Sequence, residues 1–326
     1  MNSFYHQSEG RWSPEVAWWL NGYALQDLLD FMYKTGCRKY MEQAKHIIEV
    51  QKAPLSWWPQ GNGSFRADST DDTAWWALAM VRMFDITKDK QYLDLAVLDE
   101  AYMYNYWSVE DCNGGMVQDI RHNIYKNAIA NELYMLLATE LHNRTGEAAY
   151  LKKAKVSWEW FQGSGMINSD HLINDGLAKN DEEVCFNNKG PTWTYNQGVI
   201  LGALTELWRA TKETSYLTSA REIADAVIAS NVLTKNDTLT EICESDAVGC
   251  NNDQQIFKGI FAKYLAELSN VLKGDPYRPY LVHNAKSAFE RARSKQDFYD
   301  VSWAGPFKNA TLGTQASAVS LLVSLI

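Results

Sequence analysis

The sequence predicts an all-α fold, an (α/α)6 barrel built from helical hairpins, and three observations carry that prediction. First, a short phrase recurs: Tyr40-Met-Glu-Gln-Ala44, Tyr92-Leu-Asp-Leu-Ala96, Tyr150-Leu-Lys-Lys-Ala154 and Tyr216-Leu-Thr-Ser-Ala220, with a looser copy at Tyr280-Leu-Val-His-Asn-Ala285. Successive tyrosines lie about 52 to 66 residues apart, a spacing suited to one helical hairpin per repeat. Second, a turn precedes each copy, at Thr35-Gly36, Thr87-Lys88-Asp89, Thr145-Gly146, Lys212-Glu213 and Gly274-Asp275. Third, an apolar helix precedes each turn, over about 16–33, 73–86, 127–142, 196–210 and 256–271, and a sixth apolar run spans Thr314 to Ile326.

The two helices of a hairpin read differently. In the first, as in Gly198 to Trp208, apolar residues occupy most faces, which marks a helix buried nearly all round. In the second, Tyr216, Leu217, Ala220, Ile223, Ala224, Val227 and Ile228 keep to one side and leave a wet outer face. Inner and outer helices stacked in this way make a double ring. Six inner and five outer helices are visible. A twelfth would precede residue 15, but residues 1–14 form a poor helix, so the chain is expected to lack that helix. Alternating strand patterns are nearly absent, and residues 1–326 read as one catalytic domain.

All inner helices of such a ring point the same way, so their N-terminal ends share a face with the long loops 45–72, 99–126, 163–195 and 230–255. The second inner helix opens on Ser69-Thr70-Asp71-Asp72, with an apolar run following at once. Ser69 or Thr70 can cap it, and acids favour its first turn. A cap alone needs only one of the two carboxylates. Placed half in water and half against aromatic rings, the pair can have its pKa values pushed apart. Asp71 and Asp72 are therefore the candidate catalytic residues. Gln118, Lys126, Asn127, Trp193, Tyr195, Asn196, Gln197, Asp253 and Gln254 stand at or before other inner helices and are the candidate substrate-binding residues. Capping of helix ends is the competing use for such polar groups. Trp75 and Trp76, inside the helix, are expected in the core.

Composition narrows the partner. The net charge is −9, against a nucleic-acid groove, which needs a basic surface. Hydrophobic residues make up 46% of the chain and aromatics 13%, enough for a core and for sugar stacking besides. No apolar run approaches the roughly 20 residues of a membrane span, and Met1 to Pro14 has no signal-peptide core. Four N-glycosylation patterns, at Asn62, Asn143, Asn236 and Asn309, point to a secreted setting. The five cysteines form no metal-type cluster. Cys243 and Cys250 bracket a short polar loop and are expected to pair. No metal and no cofactor is expected, and the protein is expected to act as a monomer.

Four motifs together resemble glycoside hydrolase family 76, the endo-α-1,6-mannanases, and its fungal branch in particular. They are Thr70-Asp71-Asp72-Thr-Ala-Trp-Trp-Ala-Leu; Gly114-Gly115 through Tyr125-Lys126-Asn127-Ala-Ile-Ala-Asn131; Trp193-Thr-Tyr195-Asn196-Gln197-Gly198-Val199; and Cys250-Asn-Asn-Asp253-Gln254-Gln-Ile-Phe257-Lys258-Gly259. They stand in the family's order. The chain departs from the pattern at Gly115-Met116-Val117-Gln118, where no tryptophan stands beside the glutamine. The resemblance implies an (α/α)6 barrel, α-1,6-mannan or mannooligosaccharides as substrate, a secreted or cell-wall location, and a retaining mechanism. It implies Asp71 as nucleophile and Asp72 as acid/base.

Three other functions use parts of the same pattern. A mannan transglycosylase of wall assembly would use the same acid pair. The chain ends without the polar spacer and separate apolar tail of the lipid signal that tethers related wall proteins. A catalytically silent glycan-binding toroid would not need Asp71-Asp72 intact. A metal-dependent isoprenoid enzyme would need further acids on the helix face, where Trp75 stands instead.

Overall fold

The computed structural model describes residues 1–122 and 124–326. Eleven α-helices occur among them. Six are the inner helices α1 (Trp18–Thr35), α3 (Thr70–Thr87), α5 (Ala128–Thr145), α7 (Thr194–Thr211), α9 (Phe257–Val271) and α11 (Leu312–Ser324). Five are the outer helices α2 (Met41–Gln51), α4 (Lys90–Tyr104), α6 (Ala148–Gly163), α8 (Thr214–Ala229) and α10 (Arg278–Arg291). Each inner helix packs on the next, and α11 packs back on α1. The six inner runs are found where their apolar character put them. The (α/α)6 ring thus closes with six inner and five outer helices among the described residues, eleven in place of twelve.

The hairpin turn is one chemical unit used four times. Thr35, Thr87, Thr145 and Thr211 each end an inner helix and donate a hydroxyl hydrogen bond to the carbonyl four residues back. Each hydroxyl then accepts from the backbone N–H two residues on. The residue between is left-handed in every case: Gly36, Lys88, Gly146 and Lys212. Glycine takes that conformation freely, whereas the two lysines hold it at a steric cost. Gly259 serves a different need. A Cβ there would lie 2.5 Å from the Ser317 Cα, so its absence lets α9 and α11 touch backbone to backbone.

Residues 1–14 form no helix. Tyr5–His6 (β1) pairs with Arg11–Trp12 (β2) in a two-residue hairpin flanked by short 3-10 turns. Trp12 is fully buried, and its backbone N–H donates to the Asn21 side-chain oxygen of α1 at 2.7 Å. Two further small hairpins lie in the loops: Leu177–Lys179 (β3) with Cys185–Asn187 (β4), and Thr234–Lys235 (β5) with Thr238–Leu239 (β6). Their strands are too short for alternation to show in sequence.

The C-terminal ends of the inner helices gather a buried ion network. Asp30 of α1 meets Arg82 of α3 at 2.5 Å and Lys263 of α9 at 2.7 Å. Asp85 meets Arg144 of α5 at 2.6 Å, and Glu206 of α7 pairs with Arg209. Burial alone would lower the Arg82 pKa, but the charges of Asp30, Glu140, Glu267 and Asp85 raise it, so the guanidinium stays charged. Removing one member of a buried ion network leaves an uncompensated charge. Arg82→Met should therefore cost about 3–5 kcal/mol of stability by urea unfolding; a loss under about 1 kcal/mol would show that the network has no such role.

At the opposite end Glu241 caps α7. Its carboxylate accepts from the Thr194 hydroxyl, from the Thr194 N–H at 3.1 Å and from the Ile242 N–H at 2.9 Å. Burial nonetheless dominates and raises its pKa to about 7. Because the folded value is raised, Glu241's contribution is fully present below its unfolded pKa, near 4.5, and is lost as pH rises through about 7. Glu241→Gln mimics the protonated acid. Over that window wild type should lose up to about 3 kcal/mol relative to the variant, an order-of-magnitude figure from about 1.4 kcal/mol per pKa unit. Parallel stability–pH curves for the two proteins would refute this.

Candidate active site

The N-terminal ends of α1, α3, α7 and α9 surround a cleft of about 390 Å³. Asp71 and Asp72 stand in the first turn of α3, where unpaired N–H groups and the helix dipole favour negative charge. The helix begins at Thr70, three residues before the apolar run, so both acids lie inside it. Thr70 is fixed from outside the helix. Its N–H donates to the Gln118 carbonyl at 3.0 Å, and its hydroxyl to the Val117 carbonyl at 2.6 Å. Ser69 bridges Asp119 in a short antiparallel pairing. These bonds lay the strand-like segment 116–120 across the mouth of α3 and bring the Gln118 side chain to Asp71.

The two carboxyl groups have different surroundings. Burial raises the Asp71 pKa, opposed by hydrogen bonds from Ser69, from the Asp71 and Asp72 N–H groups and from the Gln118 side chain. Burial also raises the Asp72 pKa, and here the negative charges of Asp71, Asp68 and Asp253 push in the same direction, taking it well above the ordinary value. Asp72 is therefore the harder of the two to ionise.

Of the nine candidate binding residues, five line this cleft: Gln118, Trp193, Tyr195, Asp253 and Gln254. Tyr195 stacks on Phe257 with ring centroids 3.8 Å apart, and Trp193 meets the same ring edge-on at 5.9 Å. Burial raises the Tyr195 pKa well above its ordinary value, with Asp175 and Asp71 adding to it, so the phenol is neutral. Asp253 accepts from the Trp19 indole at 3.0 Å.

The other four do not line the cleft, and three of them are engaged elsewhere. The Lys126 ammonium is buried and donates to the carbonyls of Ser108 at 2.7 Å, Asp111 at 2.5 Å and Gly114, which fixes the 105–127 loop from inside. Burial lowers its pKa to about 8. Asn127 caps α5 by accepting from the Ala130 N–H. Gln197 exchanges hydrogen bonds with the backbone of Ile173, both at 2.8 Å, and ties the 164–176 loop to α7. Asn196 is fully buried inside the ring, and its amide makes no hydrogen bond to another described residue.

Ala17, Trp19, Trp75, Asn251 and Phe257 also line the cleft. Trp19 was legible in principle: Trp18-Trp19 opens α1 as Trp75-Trp76 opens the body of α3, and the Trp19 and Trp75 rings stack at 5.4 Å. More accurately placed, Trp76 is pure core, whereas the almost wholly buried Trp75 shows one edge to the cleft. Cys243 and Cys250 are bonded as expected. A second disulfide, Cys112–Cys185, joins the 105–127 loop to β4 across 73 residues, leaving Cys37 free. No spacing rule identifies a pair so far apart.

Comparison with known proteins agrees with this geometry. Mannan endo-1,6-alpha-mannosidase DCW1 of Eremothecium gossypii is 28% identical over 282 residues, covering 80% of this chain and 60% of that protein. The protein of the same name from Candida albicans is 26% identical, covering 97% of this chain and 74% of its own length. A Schizosaccharomyces pombe relative, 27% identical, is likewise spanned over only 65% of its length. Among solved structures, an alpha-1,6-mannanase of Salegentibacter sp. superposes with a TM-score of 0.88 at 24% identity, covering 99% of this chain and 94% of that one. That structure is of a variant inactivated at two consecutive aspartates, in complex with alpha-1,6-mannotetrose. The family model described as Glycosyl hydrolase family 76 matches residues 1–326. With a match along its whole length and a ring that closes as the repeat requires, this chain belongs to glycosyl hydrolase family 76.

Proposed function

We propose that this glycosidase cleaves α-1,6-mannosidic linkages in mannan by a retaining double displacement, with Asp71 as nucleophile and Asp72 as acid/base. One observation supports the reading: two consecutive carboxyl groups share one cleft, and burial with three neighbouring negative charges makes Asp72 the harder of the two to ionise. In the first step an Asp71 oxygen attacks the anomeric carbon while Asp72 gives its proton to the departing glycosidic oxygen. The carbon–oxygen bond breaks, the shortened chain leaves as an alcohol, and a mannosyl ester remains on Asp71. In the second step Asp72, now a carboxylate, takes a proton from water, and the water oxygen displaces Asp71. A sugar hydroxyl in place of water would make the same ester a transglycosylation intermediate.

Around this chemistry Trp193 and Tyr195 offer apolar faces to a sugar ring, while Gln118, Asp253 and Gln254 offer hydrogen bonds to its hydroxyls. Two disulfides and the exposed Asn62, Asn236 and Asn309 acceptor patterns support a secreted or cell-wall setting. The Asn143 amide, by contrast, is engaged with Glu206 at 2.7 Å. No helix among the described residues is long and apolar enough to cross a membrane.

Substitution of the two acids should give different defects. Asp71→Ala cannot form the ester and should be nearly inactive on every substrate. Asp72→Ala should lose roughly 10²–10⁴-fold on mannan, whose leaving sugar needs protonation, and much less on an aryl mannoside with a good leaving group. Equal losses on both substrates would reject the assignment. Proton NMR of the first-formed product should show the α-anomer; a β-anomer would mean inversion and end the nucleophile role of Asp71.

The pH profile provides a separate check. Activity needs Asp71 ionised and Asp72 protonated, so kcat/KM should fall at high pH as Asp72 loses its proton. Asp253→Asn removes one of the charges that raise the Asp72 pKa. Its basic limb should therefore move to lower pH, whatever happens to KM. A limb that stays put or rises would disprove the coupling.

A further inference from the structure

Of the 13 tryptophans, Trp57 alone is strongly exposed among the described residues, at 50%. Its neighbour Trp58 shows what the fold itself requires of this loop: the ring is buried, and its indole N–H donates to the Tyr102 hydroxyl at 2.9 Å. Trp57 does nothing comparable. It sits in a tight turn closed by the Trp58 N–H to the Leu55 carbonyl at 3.0 Å, with Pro54 and Pro59 on either side, so its position is fixed by backbone. Leaving half an indole in water loses burial energy that an alanine or polar residue would not forgo.

Its surroundings lead back to the cleft. The Trp57 ring meets Trp18 edge-on, with centroids 6.1 Å apart and planes at 75°. Trp18 is anchored in turn, stacked on Trp76 at 4.9 Å and hydrogen-bonded through its indole to Gln51 at 2.8 Å. The next residues along the chain on either side of Trp18, Ala17 and Trp19, line the catalytic cleft. A half-exposed aromatic platform thus rests on Trp18, within a run of packed rings whose chain neighbours line the cleft. The cleft, at about 390 Å³, is short for a polymer.

Resting on the mannan reading above, we infer that Trp57 is a distal binding subsite, which stacks on a mannosyl unit of the polymer lying beyond those seated at Asp71 and Asp72. The edge contact with Trp18 leaves the indole a free face, and a pyranose presents C–H groups to such a face. The subsite touches no reacting bond. It acts on long chains and is silent for short ones.

The test compares Trp57→Ala and Trp57→Phe with wild type on α-1,6-mannotriose and on α-1,6-mannohexaose. In Trp57→Ala the KM for the hexaose should rise about 3- to 10-fold, the range expected for loss of one aromatic stacking partner. Its kcat, and both constants for the triose, should stay within twofold of wild type. Trp57→Phe, which keeps a ring, should recover most of the loss. Hexaose titration should also quench or shift the tryptophan emission of wild type more than that of Trp57→Ala. Unchanged hexaose kinetics, or equal losses on both lengths, would overturn the subsite while wild-type cleavage of the triose kept the functional reading intact. A wild type that neither binds nor cleaves either sugar would overturn both.

Discussion

Six helices running the same way leave six sets of unpaired N–H groups on one face of the ring and six sets of unpaired carbonyls on the other. That constraint sorts the charges of the whole molecule. The site acids Asp71, Asp72 and Asp253 collect at the N-terminal face, where partial positive charge is available and hydrogen-bond donors are free. Towards the carbonyl face the inner helices carry Arg82, Arg144 and Arg209, and these, with Lys263 from the middle of α9, meet Asp30, Asp85 and Glu206 in ion pairs. At that end acids and bases are paired with one another. The other keeps carboxyl groups with partners still to find.

Support for that open face comes from polar side chains turned onto backbone. Lys126, Gln197 and Glu241 each hold a loop or a helix start through several hydrogen bonds. The two disulfides act on the same segments: Cys112–Cys185 beside the loop that carries Gln118, and Cys243–Cys250 just before Asp253. Because these anchors lie beneath the cleft, its lining residues stand on fixed backbone, and preorganisation of this kind is what electrostatic catalysis requires.

Much of this was legible in the sequence for a simple reason. A helix buried on all sides has to be apolar on all sides, and a hairpin repeat has to repeat its turn. Periodicity alone thus located the inner helices, and acids beside an apolar run pointed to residues that line the candidate cleft. Lys126, Asn127, Asn196 and Gln197 were legible only as polar residues at helix mouths. Whether such a side chain faces the cleft or the backbone beneath depends on carbonyls supplied by other segments, such as Ser108 for Lys126 and Ile173 for Gln197. Glu241 was invisible for the same reason, lying 47 residues from the Thr194 it caps. The small strands β1 to β6 are two or three residues long, below the length at which alternation means anything.

The seam between α11 and α1 has a consequence for how the protein is made. There Tyr23 meets the Ser320 hydroxyl at 3.0 Å, Ser320 donates to Asp27 at 2.6 Å, and Lys34 donates to the Val323 carbonyl at 2.9 Å. Those partners are separated by almost the full chain, up to 297 residues. Neighbouring hairpins can assemble as they are synthesised, since their contacts are local and form early. The last contact is of a different order. Until α11 is released, the first helix has an unclosed flank, and the nascent protein is an open arc with buried-type polar groups exposed at both ends. A ring therefore converts a series of local folding steps into one final commitment, made only when α11 reaches α1.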